Sequence, residues 1–190
     1  HQYDHFIFSY HGLPERQIRK GDCTKEVCKL GSCCDTLHAM NQHCYRAQCF
    51  ETTRLLVKAL NIPEGKYTTC FQSRLGNDPW IKPYTEDVIK ELPKKGLKSV
   101  LAFSPAFVAD CLETTLEVGE EYKEVFEKEA LKFYFSLKWK KTEPKNLINK
   151  LYGVVNISKK NIEFREGCEN IKDFLKYFEF DIVERKVLYN

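Results

Sequence analysis

Three short apolar runs constrain this chain most, because each is followed by a segment of helical character. HFIFSY (5–10), the centre of KYTTCFQSR (66–74) and the start of KSVLAFSPAFV (98–108) are rich in aromatic and β-branched residues and too short for helices, so they read as strands. YRAQCFETTRLLVKALNI (45–62) repeats Ala47, Phe50, Leu55, Leu56, Ala59 and Leu60 at roughly helical spacing, and Pro63 and Gly65 close it. YTEDVIKELPKKG (84–96) reads as a short helix. Thr85 is its expected N-cap, with Glu86 and Asp87 where the helix dipole favours negative charge. DCLETTLEVGEEYKEVFEKEALK (110–132) reads as a long acidic helix, weakened slightly by Gly119. KFYFSLKW (132–139) is a candidate fourth strand. The β-α-β-α-β-α order predicts an α/β fold with a doubly wound parallel sheet, which binds ligands beyond the carboxyl ends of its strands. Those ends are Ser9-Tyr10-His11-Gly12, Gln72-Ser73-Arg74 and Ser104-Pro105-Ala106-Phe107.

At 190 residues the chain is long enough for one domain with a substantial core. A net charge of +3 gives no push toward nucleic acid or an anionic membrane. There is no secretory leader and no apolar run of about 18 residues, which predicts a cytoplasmic protein without a membrane span. The chain begins with His1 and is strand-like from residue 3, so it is expected to be cut from a longer protein. The last third differs in charge: residues 131–190 hold 13 Lys/Arg and 8 Asp/Glu, net +5, against 17 and 19, net −2, in residues 1–130. Residues 138–190 carry no distinctive motif and read as a tail of unknown role.

His11 follows a strand and precedes Gly12-Leu13-Pro14, a position that suits either a proton acceptor near neutral pH or a histidine merely tied down at a strand end. In the acidic helix Glu113, Glu117 and Glu121 recur every four residues after Asp110, so like charges stack on one face at a cost to the helix. Such a row suits a hard cation or a proton path, or a solvated face balanced by Lys123 and Lys128. Trp80, in the turn NDPWIKP, can line a pocket for a flat ligand or anchor the loop.

Six of the nine cysteines lie within residues 21–49: Cys23, Cys28, Cys33, Cys34, Cys44 and Cys49. In a reducing compartment such clustering favours a metal centre over disulfides. Cys23/Cys28 and Cys44/Cys49 satisfy the loose knuckle spacing of zinc sites, while iron–sulfur clusters take four thiolates from loops of varied spacing. Six exceeds either need, and His38 and His43 allow mixed ligation.

Four motifs then fall in order: FSYHGLPER (8–16), YRAQCFETT (45–53), FQSRLGNDPWIKPYT (71–85) and SPAFVADCLETTLEVGEEY (104–122). Together they resemble the C-terminal half of ferrochelatases over roughly residues 3–130. The resemblance implies one Rossmann-like, chelatase-type lobe of a two-lobe fold, occupying 1–137 with 21–49 as a cysteine-rich insertion. It implies a lyase of haem biosynthesis that inserts ferrous iron into a porphyrin, with an N-terminal lobe needed for activity. His11 and Glu113 match the catalytic pair and contacts of the ferrous iron. Asp110, Glu117 and Glu121 match the acidic row for protons or metal. Tyr10, Ser73, Arg74 and Trp80 match the porphyrin cleft. Cys111 stands where some family members have histidine and is not assigned a catalytic role. Some bacterial ferrochelatases carry a [2Fe–2S] cluster in such an insertion, which makes Cys28, Cys34, Cys44 and Cys49 the expected ligands, with Cys33 and Cys23 as substitutes. Two other readings stand beside this: a stand-alone iron–sulfur or zinc module with a relic cleft, and a related cobalt chelatase.

Overall fold

The computed structural model describes residues 3–107, 109–138 and 179–182, with side-chain surroundings up to residue 130. Its frame is a four-stranded parallel sheet in the order β2-β1-β3-β4, built from β1 (His5–His11), β2 (Tyr67–Gln72), β3 (Ser99–Phe103) and β4 (Glu179–Ile182). The first three are the runs expected as strands. β1 is flanked on both sides and buried on both faces, which explains why its sequence is nearly continuously apolar rather than alternating.

Alternation still decides which side chain faces which helix layer. Phe8 and Tyr10 of β1 join Phe71 of β2 under α2 (Tyr45–Ala59), packing against Cys49 and Val57. Ile7, Cys70, Val100 and Ala102 point the other way, toward Ile89 of α3 (Thr85–Glu91) and toward Tyr122, Phe126 and Ala130 of α4 (Tyr122–Lys138). Helices therefore cover both faces. The chain leaves β1 toward β2, then crosses back to β3 on the other side of β1. The switch point lies between β1 and β3, whose carboxyl ends are His11 and Phe103.

Several expectations are corrected. Thr85 is not an N-cap: it is the first helical residue, buried, with its hydroxyl on Ser9 Oγ (2.9 Å) and Cys70 Sγ (3.2 Å). KFYFSLK is not a strand but the last two turns of α4, since no Gly or Pro interrupts the backbone ladder after Tyr122. The fourth strand comes from residues 179–182 in the tail that shows no motif, pairing Ser99↔Glu179 to Ala102↔Ile182. The rest of 139–190, with Trp139 and Cys168, lies outside the described residues. Glu113–Glu121 winds as a π-helix before continuing into α4, and a helix α1 (Glu15–Lys20) unforeseen in the sequence follows the HGLP loop.

One buried titratable group makes folding pH-dependent. His5 is 6% exposed with Nε2 2.9 Å from Thr68 Oγ1; burial, then the charge of Lys95, pushes its pKa down from 6.5 to about 4. Between those values the unfolded chain binds more protons than the folded one. The stability His5 contributes is therefore whole above pH 6.5 and is lost as pH falls toward 4. Urea unfolding at pH 7 and pH 5 should show a loss of stability in the native chain that is smaller in His5→Gln. Equal losses in both would contradict the assignment.

Candidate functional site

β1 and β2 end side by side, with His11 opposite Gln72 in the ladder, and Gly12 N donates to Gln72 O at 2.8 Å. His11 Nδ1 lies 2.6 Å from the carbonyl of Gly12. A carbonyl can only accept, so Nδ1 carries a proton, and in the neutral ring the lone pair is on Nε2. The ring stands 6.5 Å from that of Phe107, which the SPAF turn brings over from β3. The backbone is held from behind: the Tyr45 hydroxyl donates to His11 O at 2.8 Å.

The HGLP loop has a second brace. Ile81 N donates to Leu13 O (3.0 Å) and Glu15 N to Pro79 O (2.9 Å). Trp80 closes over Gly12 so tightly that a Cβ there would sit 3.1 Å from the indole and 2.9 Å from Gln72 O. With its Nε1 on Leu75 O at 3.0 Å, Trp80 is buried as a loop anchor. Tyr10, expected in the cleft, is instead core: it is 2% exposed, with its hydroxyl 3.0 Å from Thr53 Oγ1 on α2. Neighbours on a strand face opposite ways, so Tyr10 and His11 cannot line one cleft. Tyr10→Phe should cost about 1 kcal/mol for the lost hydrogen bond, read in urea unfolding; an unchanged stability would contradict the core role of the hydroxyl.

The acidic residues separate into three environments. Glu113 begins the π-helix; the Cys111 thiol, its own backbone N–H and the charge of His11 lower its pKa. Glu113 and His11 thus share one electrostatic neighbourhood at the switch point. Glu117 is instead fully engaged: it accepts from Ser73 N (2.7 Å), Ser73 Oγ, Tyr122 Oη (2.7 Å) and Gln72 Nε2 (3.4 Å). Ser73 reaches it from a left-handed backbone, φ +65°. Burial, then this carboxylate, pushes Tyr122 up. Glu121 is exposed and borders, with Ser73, Arg74, Glu86 and Glu117, a polar cavity of about 260 Å³. Arg74 stacks 4.1 Å above the Tyr84 ring. Asp110 is exposed in the turn before the helix. The structure therefore sets His11 and the Glu113 carbonyl on either side of Gln72, gathers Ser73, Arg74, Glu117 and Glu121 round a polar space, and leaves Tyr10 out of both.

The cysteine segment is held by side chains rather than by regular structure. Asp22 accepts from the backbone N–H groups of Val27 (2.9 Å) and Cys28 (2.7 Å), and these bonds, that of Cys28 first, lower its pKa. Asn41 donates to Cys33 O (2.7 Å) and Thr36 O (2.8 Å). Cys23, Cys28, Cys33, Cys34 and Cys44 border a cavity of about 270 Å³, with Cys33 and Cys34 sulfurs 3.8 Å apart. The Cys34 thiol raises its own pKa and lowers that of Cys44 to about 6 by hydrogen bonding to it. Arg46, 7% exposed, favours thiolate at Cys33, Cys34 and Cys44, and its guanidinium donates to Gly31 O (3.1 Å) and Lys82 O (3.0 Å) and lies 4.5 Å above the Phe50 ring. Cys49 does not join them. It sits on the buried face of α2, where burial raises its pKa to about 12. Among the described residues no three His, Cys, Asp or Glu side chains are arranged to hold one metal ion. A [2Fe–2S] cluster takes four thiolates, two at each iron, and five cysteines border this cavity.

A parallel, doubly wound α/β lobe with a histidine at the end of its central strand and an acidic helix after β3 defines a chelatase-type fold. The ferrochelatase family model matches residues 1–156, and the chain belongs to that family. It is 51% identical over 124 residues to the ferrochelatase of Legionella pneumophila subsp. pneumophila strain Philadelphia 1, covering 65% of this chain and 37% of that protein. It is 49% identical over 118 residues to the ferrochelatase of Coxiella burnetii strain RSA 493, covering 62% and 33%. The chain thus spans about a third of the length of the curated relatives it matches. No described helix is long and apolar enough to cross a membrane.

Proposed function

We propose that this chain supplies the base-bearing lobe of an enzyme that inserts ferrous iron into a porphyrin. The observation that carries this reading is His11 at the end of β1, tied through Gln72, its partner in the ladder, to the backbone carbonyl of Glu113. Metallation must remove two pyrrole protons while a dication enters. His11 Nε2 takes one proton, and the Glu113 carboxylate takes the other and passes it toward solvent along the acidic row as the iron enters. Glu117, saturated with donors, is a fixed negative charge behind the pair, and Glu121 is the exposed end of the acidic row. Phe107 offers an apolar face beside His11, where a flat macrocycle can rest.

The test is to mix the full-length protein with ferrous iron and protoporphyrin or coproporphyrin under anaerobic conditions and follow the porphyrin absorption bands. Metallation is expected with one or both, and Glu113→Gln should slow it while porphyrin still binds. A native protein that binds porphyrin but metallates it with cobalt alone favours the related cobalt chelatase. One that binds no porphyrin removes the reading.

The cysteine cavity favours a second, compatible role as a [2Fe–2S] site held by Cys28, Cys33, Cys34 and Cys44. When bound, such a cluster supplies one-electron redox chemistry or a structural cross-link. Arg46 is placed to offset the charge of its thiolates.

A further inference from the structure

One buried side chain touches both the strand end at His11 and the helix that carries Glu113 and Glu117. Gln72 is 1% exposed and ends β2 beside His11. Its Oε1 accepts from Ser9 Oγ on β1 (2.7 Å) and from Ser104 Oγ beyond β3 (3.4 Å). Its Nε2 donates to the backbone carbonyl of Glu113 (3.1 Å) and to Glu117 Oε2 (3.4 Å). Ser9 is itself fixed, since its hydroxyl also meets Thr85 Oγ1 at 2.9 Å. The amide therefore joins three strand ends to the helix that carries the carboxylates.

We propose that Gln72 is a positioning residue for metallation: its carboxamide sets the distance and orientation of Glu113 and Glu117 relative to His11. This rests on the reading of His11 and Glu113 as the metallating pair. The physical case is one of uniqueness of function in a small space. The helix bearing Glu113 begins with π-type winding, in which backbone bonds are less well matched than in an α-helix. A carbonyl has two lone pairs, and Gln72 Nε2 donates to the Glu113 carbonyl from outside the helix, beyond any bond that carbonyl accepts within it. A hydrocarbon of the same length fills the volume but donates nothing. A carboxylate has the right shape but opposes Glu117 and the Glu113 carbonyl with like charge, unless it is protonated.

Two variants of the full-length protein separate positioning from mere support. In Gln72→Leu, kcat is expected to fall by about tenfold to a hundredfold, the usual consequence of a displaced catalytic group. KM for porphyrin should stay within about twofold, because Gln72 is only 1% exposed and its amide is engaged by protein groups. In Gln72→Glu, the deficit should shrink as pH is lowered, since the protonated carboxyl regains one donor, and grow as pH rises. A purely structural role gives a pH-independent deficit that follows the loss of thermal stability instead. Native-like kcat in both variants across the pH range overturns the proposal while leaving the metallation reading intact. A pH-independent deficit matching the loss of stability also overturns it. A native protein that does not metallate porphyrin at all removes both.

Discussion

In His11→Ala, metallation of porphyrin by the full-length protein is expected to slow by about a hundredfold to ten-thousandfold, the usual contribution of a positioned acid–base group. Porphyrin binding should survive. The reason lies in how His11 is held. Its backbone is fixed by the ladder to Gln72 and by the Tyr45 hydroxyl, and neither contact uses the imidazole. The ring contacts only Gly12 O and Phe107 among the described residues, so truncation removes the base without undoing the core. Melting temperature should therefore move little. The measurement is the single-turnover decay of the free-porphyrin bands beside a fluorescence titration of binding. A variant within tenfold of the native rate would remove His11 from the chemistry and leave Glu113 as the candidate base.

The second large effect is expected in the cysteine segment, where two substitutions of the same kind should part company. After reconstitution with ferrous iron and sulfide, Cys44→Ser should fall to background in bound iron and acid-labile sulfide, and its visible absorption should vanish. Cys49→Ser should keep both. Cys44 borders the cavity with Cys33 and Cys34, and its pKa is already lowered to about 6, so a thiolate is available for ligation near neutral pH. Cys49 has its thiol raised to about 12 in an apolar setting and would have to leave the core to bind iron. Its replacement should instead cost about 1–3 kcal/mol for setting a hydroxyl in that pocket. Equal loss of iron in both variants would restore Cys49 to the ligand set. A native chain that takes up neither iron nor sulfide ends the cluster reading outright.

The positions of these residues were legible in the sequence to different depths. The three strands and α2 follow from short apolar runs, helical periodicity and Pro/Gly breaks, all local signals. His11 at a strand end and Glu113 after another were readable for the same reason. Tyr10 was misplaced because adjacency along a strand looks like proximity in a site, whereas the pleat sends adjacent side chains to opposite layers. The last turns of α4 were misread because KFYFSL has strand-like composition, and propensity yields to an uninterrupted helical ladder.

What the sequence determined by itself is the order of elements and the chemical groups at their ends, because turn chemistry and hydrophobic period act over a few residues. What only the tertiary structure decided is which groups meet. The strand order 2-1-3-4 puts the switch point at His11, places Glu117 under four donors, and makes Gln72 the link between His11 and the acidic helix. It also draws Cys33 to the cavity and leaves Cys49 in the core, and recruits residues 179–182 as the fourth strand. These are pairings across tens of residues, set by register and by burial on two faces of a sheet, and no local pattern encodes them.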